Sequence, residues 1–209
     1  MNLNNFKNKT AKILLDIKAI NIQIKKPFKL TSGRLSPVYV DCRKIISHLK
    51  ERRSIIKMSC DLLKKEINLK KIDFIAGGET AGIPYASWIS EKLNKPMIYI
   101  RKKPKGFGKL SQIEGEIKKG SKILLIEDLS TDGKSKLNFC NAIKKAGGSI
   151  KNIFVIFNYD IYSNKIFKKN NLKLHFLTNW EFVIKNLKNN NLFKKEEILK
   201  IEEFLSKKN

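Results

Sequence analysis

Two adjacent acids stand at the end of an apolar run in Ile123-Leu124-Leu125-Ile126-Glu127-Asp128-Leu129-Ser130-Thr131-Asp132-Gly133-Lys134-Ser135. Four apolar residues in a row read as a buried strand, and the small polar residues after the acids read as a turn that opens a helix. Backbone N–H groups and hydroxyls at a helix N-terminus suit a phosphate. Ionised Glu127 and Asp128 only accept hydrogen bonds, so they suit the hydroxyls of a sugar. A ligand with both a phosphate and a diol, such as a ribose 5-phosphate, answers both halves of the motif. The plainer reading has the acids end a strand while Ser130 and Thr131 cap a helix. A Walker-type loop is excluded, because Asp128 stands where its leading glycine is required, although Gly133-Lys134-Ser135 ends like one.

Two further segments carry phosphate chemistry. In Gly77-Gly78-Glu79-Thr80-Ala81-Gly82-Ile83-Pro84 the glycines permit a tight turn at a strand end, with N–H groups free for phosphate oxygens. In Arg101-Lys102-Lys103-Pro104-Lys105-Gly106-Phe107-Gly108, four cations lie on a glycine-punctuated stretch that can swing and runs on to Gln112-Ile113-Glu114-Gly115. Such a lid can neutralise an anionic leaving group and exclude water as it closes. A solvated basic loop is the competing reading in so basic a chain. Upstream, Phe28-Lys29-Leu30-Thr31-Ser32-Gly33-Arg34-Leu35-Ser36-Pro37-Val38-Tyr39-Val40-Asp41 joins a turn to an alternating strand, where Tyr39 and Val40 also suit a strand face or the core.

These residues need elements to hold them. Phe6, Ile13, Leu14, Ile17 and Ile20 recur at helical spacing, and Val38, Val40 and Cys42 alternate as in a strand. Ile55, Ile56, Leu62, Leu63 and Ile67 mark a second helix. From there the order is regular, with buried strands expected at 72–76, 97–100, 123–126 and 153–157 and helices at 81–93 and 135–145. Gly147-Gly148 stops the second of these helices. A strand at 172–177 and helices at 180–187 and 195–205 complete the chain. This alternation predicts an α/β fold, a mainly parallel central sheet flanked by helices. Ligands in such folds gather at the carboxyl ends of the strands. One domain over 1–209 is expected, with 1–45 and about 170–209 contributing a small cap.

A chain of 209 residues with 42% hydrophobic content can bury a real core. No apolar run approaches a membrane span, and residues 1–12 lack a signal-peptide pattern, which predicts a cytoplasmic protein without membrane partners. Cys42, Cys60 and Cys140 are isolated thiols, not a disulfide framework. His48 and His175 lack helix-spaced metal ligands, so no protein-held metal is expected and both read as partly exposed. The net charge of +25 is spread along the whole chain, as a compositional drift toward lysine would produce. Aromatic-rich RNA-binding signatures are missing, and nucleic acid is not an expected partner.

The 123–135 motif resembles the signature with which type I phosphoribosyltransferases bind phosphoribosyl pyrophosphate (PRPP). Residues 28–41, 77–84 and 101–115 resemble, in the same order, the N-terminal motif, pyrophosphate loop and mobile loop of the orotate-specific members of that family. The resemblance implies the type I phosphoribosyltransferase fold and a glycosyltransferase that passes the phosphoribosyl group from PRPP to orotate. The products would be orotidine 5′-monophosphate (OMP) and pyrophosphate, on the de novo route to UMP. It implies Mg2+ bound mainly through PRPP, and a homodimer with shared active sites.

Lys102 and Lys105 become the expected catalytic residues. PRPP would be bound by Arg101, Lys102, Lys105, Phe107, Glu127, Asp128, Leu129, Ser130, Thr131, Asp132, Gly133, Lys134 and Ser135. Orotate would be bound by Tyr39, Val40, Thr131 and Tyr159. Many members carry a lysine where Thr31 stands, a histidine at Phe107, and at Tyr159 an arginine that meets the orotate carboxylate. Arg34 or a nearby lysine could compensate. A phosphoribosyltransferase for another base, or a PRPP-sensing or RNA-binding regulator without catalysis, are the rival readings.

Overall fold

The N-terminal helix α1, Leu3–Asp16, turns Phe6, Thr10, Ala11 and Leu14 inward at helical spacing. It ends before the expected Ile20. Lys18 adopts a left-handed conformation at φ 54°, while the Lys18 and Ala19 amides bond back to Leu15 and Leu14. That is a Schellman closure made without glycine, and it releases Ile20 into strand β1, Ile20–Ile22. The chain here is a computed structural model, in which residues 2–29, 35–104, 112–160, 165–189 and 193–206 are described.

Short strands follow: β2 at Phe28–Lys29, β3 at Leu35–Ser36 and β4 at Val38–Val40. β1 pairs antiparallel with β4, and β2 with β3. Cys42 was expected to prolong β4. Instead the Asp41 carboxylate accepts the Arg43 amide at 3.2 Å and caps a 3-10 turn, Cys42–Ser47. Helix α2, Leu49–Glu66, then buries Ile55, Ile56, Leu62 and Leu63.

The remaining elements are β5 (Phe74–Gly78), α3 (Gly82–Leu93), β6 (Met97–Ile100), β7 (Ile113–Glu114), β8 (Lys122–Ser130) and α4 (Lys134–Lys145). After them come β9 (Ser149–Asn158), α5 (Lys165–Lys169), β10 (Lys173–Asn179), α6 (Trp180–Asn189) and α7 (Lys195–Ser206). The main sheet runs β10-β9-β8-β5-β6-β7, parallel throughout except for β7 at its edge. Its central strands are buried on both faces. Leu124 and Ile126 of β8 join one apolar cluster with α1, α2, α3, α6 and α7, while Ile123 and Leu125 join another with α4. This two-sided burial is why the strand reads as an unbroken apolar run.

Strand order reverses between β5 and β8. From β5 the chain steps to β6 on one side, and from β8 to β9 on the other. A crevice opens at such a switch point, outside the carboxyl ends of the strands. His175, expected to be partly exposed, is 1% exposed on β10, wedged between Glu66 and Asn152. Its two side-chain partners satisfy a polar group that burial would otherwise penalise.

Candidate active site

A cavity of about 960 Å3 occupies the β5–β8 crevice. Glu127, Asp128 and Leu129 end β8 on its floor, and Thr131, Asp132, Lys134 and Ser135 border it where α4 begins. Glu79, Thr80 and Ala81 come from the turn after β5, and Lys102 from the residues after β6. Lys29, Tyr39, Val40, Asp41 and Arg43 also line the cavity, with Tyr159 beyond β9 and Phe204 from α7. Segments far apart in sequence thus meet in one hollow.

Glu127 is buried and Asp128 half-buried. Burial pushes the Glu127 carboxyl up to about 7, against the pull of Lys136, which is the larger opposing effect; neighbouring Asp128 adds to the rise and the Gly82 amide resists it. Asp128 is raised as well, chiefly by burial, with Lys136 and the Leu129 amide opposing. Lys136 Nζ lies 3.1 Å from Glu127 Oε2 and 3.2 Å from Ser135 Oγ, and its side chain is 7% exposed. A buried pair of this kind is aimed as well as charged. Lys136 was missed from the sequence, although a signal existed. It lies three and four residues before Phe139 and Cys140, on the buried face of α4, where a lysine is out of place.

The glycines near the acid pair serve space, not left-handed backbone. A turn does follow β5 at 79–81, as expected, but Gly77, Gly78 and Gly82 all lie outside the positive-φ region. A Cβ on Gly78 would come within 2.6 Å of Phe139 and 2.9 Å of Glu127, and one on Gly82 within 2.4 Å of Glu127 Oε1 and 2.5 Å of the Ile126 carbonyl oxygen. They let the turn after β5 press against the end of β8. Gly133 differs: it is left-handed at φ 78° and starts α4.

The other expected site residues divide. Tyr39, Val40, Lys102, Glu127, Asp128, Leu129, Thr131, Asp132, Lys134, Ser135 and Tyr159 all line the cavity. Ser130 and Gly133 are buried beneath it. Arg101 does not line it, since its guanidinium pairs with Glu114 at 3.6 Å. The Lys102 amide donates to Glu79 Oε2 at 2.7 Å, tying the base of the basic segment to the turn after β5. Asp132 Oδ1 accepts the Lys134 amide at 3.1 Å, so its side chain closes the loop. Tyr159 Oη accepts the Val40 amide at 3.1 Å, and its ring packs edge-on against Phe157 and Trp180. Lys105, Phe107, Thr31 and Arg34 lie outside the described residues. Glu79 and Asp41, inside recognised motifs but given no role, and Arg43 and Phe204, outside them, are additions from the structure.

Comparison with known proteins agrees with this layout. Residues 46–185 match the model of the phosphoribosyl transferase domain. Orotate phosphoribosyltransferase of Rhizobium rhizogenes is 41% identical over 198 residues, covering 94% of this chain and 85% of the relative. The structure of Leishmania donovani UMP synthase superposes with a TM-score of 0.81 at 26% identity, over 95% of this chain and 42% of that one. That of Mycobacterium tuberculosis orotate phosphoribosyltransferase in complex with PRPP gives a TM-score of 0.63 at 20% identity, over 84% of this chain and 98% of that one. With the acid pair, the loop at α4 and the turn after β5 gathered around one cavity, the chain belongs to the orotate phosphoribosyltransferase family.

Proposed function

We propose that the chain transfers the 5-phosphoribosyl group of PRPP to orotate, releasing pyrophosphate and forming OMP for pyrimidine biosynthesis. The observation that carries this reading is one cavity lined together by Glu127 and Asp128, the start of α4, the turn after β5 and the aromatic rings of Tyr39 and Tyr159. In the reaction the C1′–oxygen bond to pyrophosphate breaks, its electrons leave with pyrophosphate, and the orotate ring nitrogen bonds C1′ as its proton is lost to solvent or to the departing pyrophosphate. Positive charge builds on the ribose in between, as in other glycosyl transfers.

In this reading Glu127 and Asp128 accept the ribose hydroxyls and lie near the developing cation. The hydroxyls of Thr131 and Ser135, with the amides of the first turn of α4, hold the 5-phosphate. Thr131 also reaches toward the base. Lys102 and Lys105, with Arg101, meet the charge gathering on pyrophosphate, and Phe107 belongs to the same PRPP-binding segment. Tyr39, Val40 and Tyr159 wall the orotate ring.

Glu127 and Asp128 place hard oxygen donors in the cavity, which fits a Mg2+ ion that arrives on PRPP and keeps several waters. When bound, that ion neutralises phosphate charge. PRPP itself would supply most of its ligands. The chain acts as one domain, with 1–45 and about 170–209 as the cap, supported by β4 and α7 reaching the cavity. It works as a homodimer in which the basic segment from Arg101 to Lys105 serves the neighbour's site. The cytoplasm is the expected compartment, consistent with three buried free thiols.

The test is direct. Purified protein with Mg2+ and PRPP should consume orotate and leave uracil, hypoxanthine and adenine largely untouched. Conversion of a purine with orotate inert would refute the reading.

A further inference from the structure

We propose that Arg43 recognises the orotate carboxylate and so sets the preference for this base, on the reading above that orotate is the acceptor. Orotate is a uracil ring bearing a carboxylate. Bringing that anion beside Glu127, Asp128 and Asp41 is unfavourable unless a cation stands between. Tyr159 cannot be that cation: its hydroxyl is bonded to the Val40 amide and burial keeps it protonated. Among the described residues, the cations lining the cavity are Lys29, Arg43, Lys102 and Lys134. Lys102 follows β6 and Lys134 opens α4, the segments that the reading above gives to pyrophosphate and the 5-phosphate.

Arg43 stands at the base end. Its Nη2 donates to Tyr39 Oη at 3.1 Å, and its Nε to Asp41 Oδ1 at 2.7 Å. The Tyr39 ring faces the same cavity, and the Val40 amide beside it holds Tyr159. Arg43 is also close enough to Asp128 to favour its ionised form. Its turn is anchored from below, where Tyr85 Oη donates to the Cys42 carbonyl at 2.6 Å. A guanidinium carries five N–H donors in a planar fork. Two are used by Asp41 and Tyr39, leaving three, with Nη1 unclaimed by any described residue. A side chain braced on two sides loses little freedom when it binds, and its fork matches a carboxylate. Lys29 is exposed, as Arg43 is at 58% of its side chain, but it is a point charge on β2 with neither the fork nor the bracing.

OMP and UMP differ only by the carboxylate, so their affinities for the intact protein isolate its recognition without turnover. Dissociation constants for both should be measured by calorimetry on wild type, Arg43→Gln, Arg43→Lys and Lys29→Met, with melting curves on each. The OMP-over-UMP preference of wild type should fall about 10- to 100-fold in Arg43→Gln, the size of a lost charge-assisted pair. Arg43→Lys, which keeps charge without the fork and guards against a folding defect in the first variant, should restore part of it. A retained preference in Arg43→Gln, equal weakening of both nucleotides, or transfer of the loss to Lys29→Met would each overturn the proposal. Failure of wild type to turn over orotate would instead refute the functional reading.

Discussion

Replacing Lys136 with methionine removes the ammonium 3.1 Å from Glu127 while nearly preserving volume. Stranding a buried charge usually costs about 3–5 kcal/mol. Here Glu127 can escape by taking a proton, because burial already raises it from 4.5 to about 7. The folded state therefore binds more protons than the unfolded one between those values, and this group lowers stability as pH rises through them. The rise of about 2.5 units corresponds to roughly 3 kcal/mol, a loss that wild type already carries above pH 7. Without Lys136 the carboxyl titrates higher still. Near pH 7 the wild-type group is itself close to its midpoint, so full protonation in Lys136→Met adds less than about 1 kcal/mol from Glu127. Above pH 7 the difference should grow by about 1.4 kcal/mol per pH unit until the mutant group ionises in turn. Denaturant unfolding of both proteins at pH 6, 7, 8 and 9 would measure this divergence. PRPP affinity should show the same trend, since a protonated Glu127 accepts fewer hydroxyl bonds. A constant loss of about 3–5 kcal/mol across that range would show that Glu127 stays ionised without Lys136, and the reasoning would fail.

Three further outcomes are expected. Gly82→Ala should destabilise by about 1–3 kcal/mol and depress turnover, because the new Cβ would meet the Ile126 carbonyl as well as Glu127; unfolding midpoints together with rates check this. Tyr159→Phe should cost about 1–3 kcal/mol by leaving the buried Val40 amide unpaired, and should raise KM for orotate more than for PRPP. Lys105→Ala and Asp128→Asn homodimers should each be nearly inactive, yet co-expressed with two tags they should recover about a quarter of wild-type activity if sites are shared across a closed two-fold dimer. No recovery in tag-purified heterodimers would count against shared sites.

Much of the fold was legible because its signals are local. An apolar run buried on both faces marks β8 without reference to any other strand, and helical spacing marks α2 and α4. The acid pair, the hydroxyl-bearing loop and the basic segment were equally visible, since their chemistry lies within a few consecutive residues. Where local reading failed, a side chain or an unusual backbone angle had ended an element. Lys18 in a left-handed conformation cut α1 short of Ile20, and the Asp41 carboxylate turned the chain at Cys42. Neither residue type announces such a role on its own.

What the sequence by itself determined is the order of the main strands and helices and the presence of residue types suited to a phosphate, a diol and an anionic leaving group. Tertiary structure alone decided how those groups are tuned and faced. Glu127 is pushed up because α4 seals it beside Lys136, and Gly82 is needed because the end of β8 lies against it. Val40 and Tyr159 join through one hydrogen bond across 119 residues, and Arg43 reaches the cavity only because β4 lies over the ends of the main sheet's strands. Burial, close approach and electrostatic coupling are properties of pairs brought together by folding, so no single stretch of chain can display them.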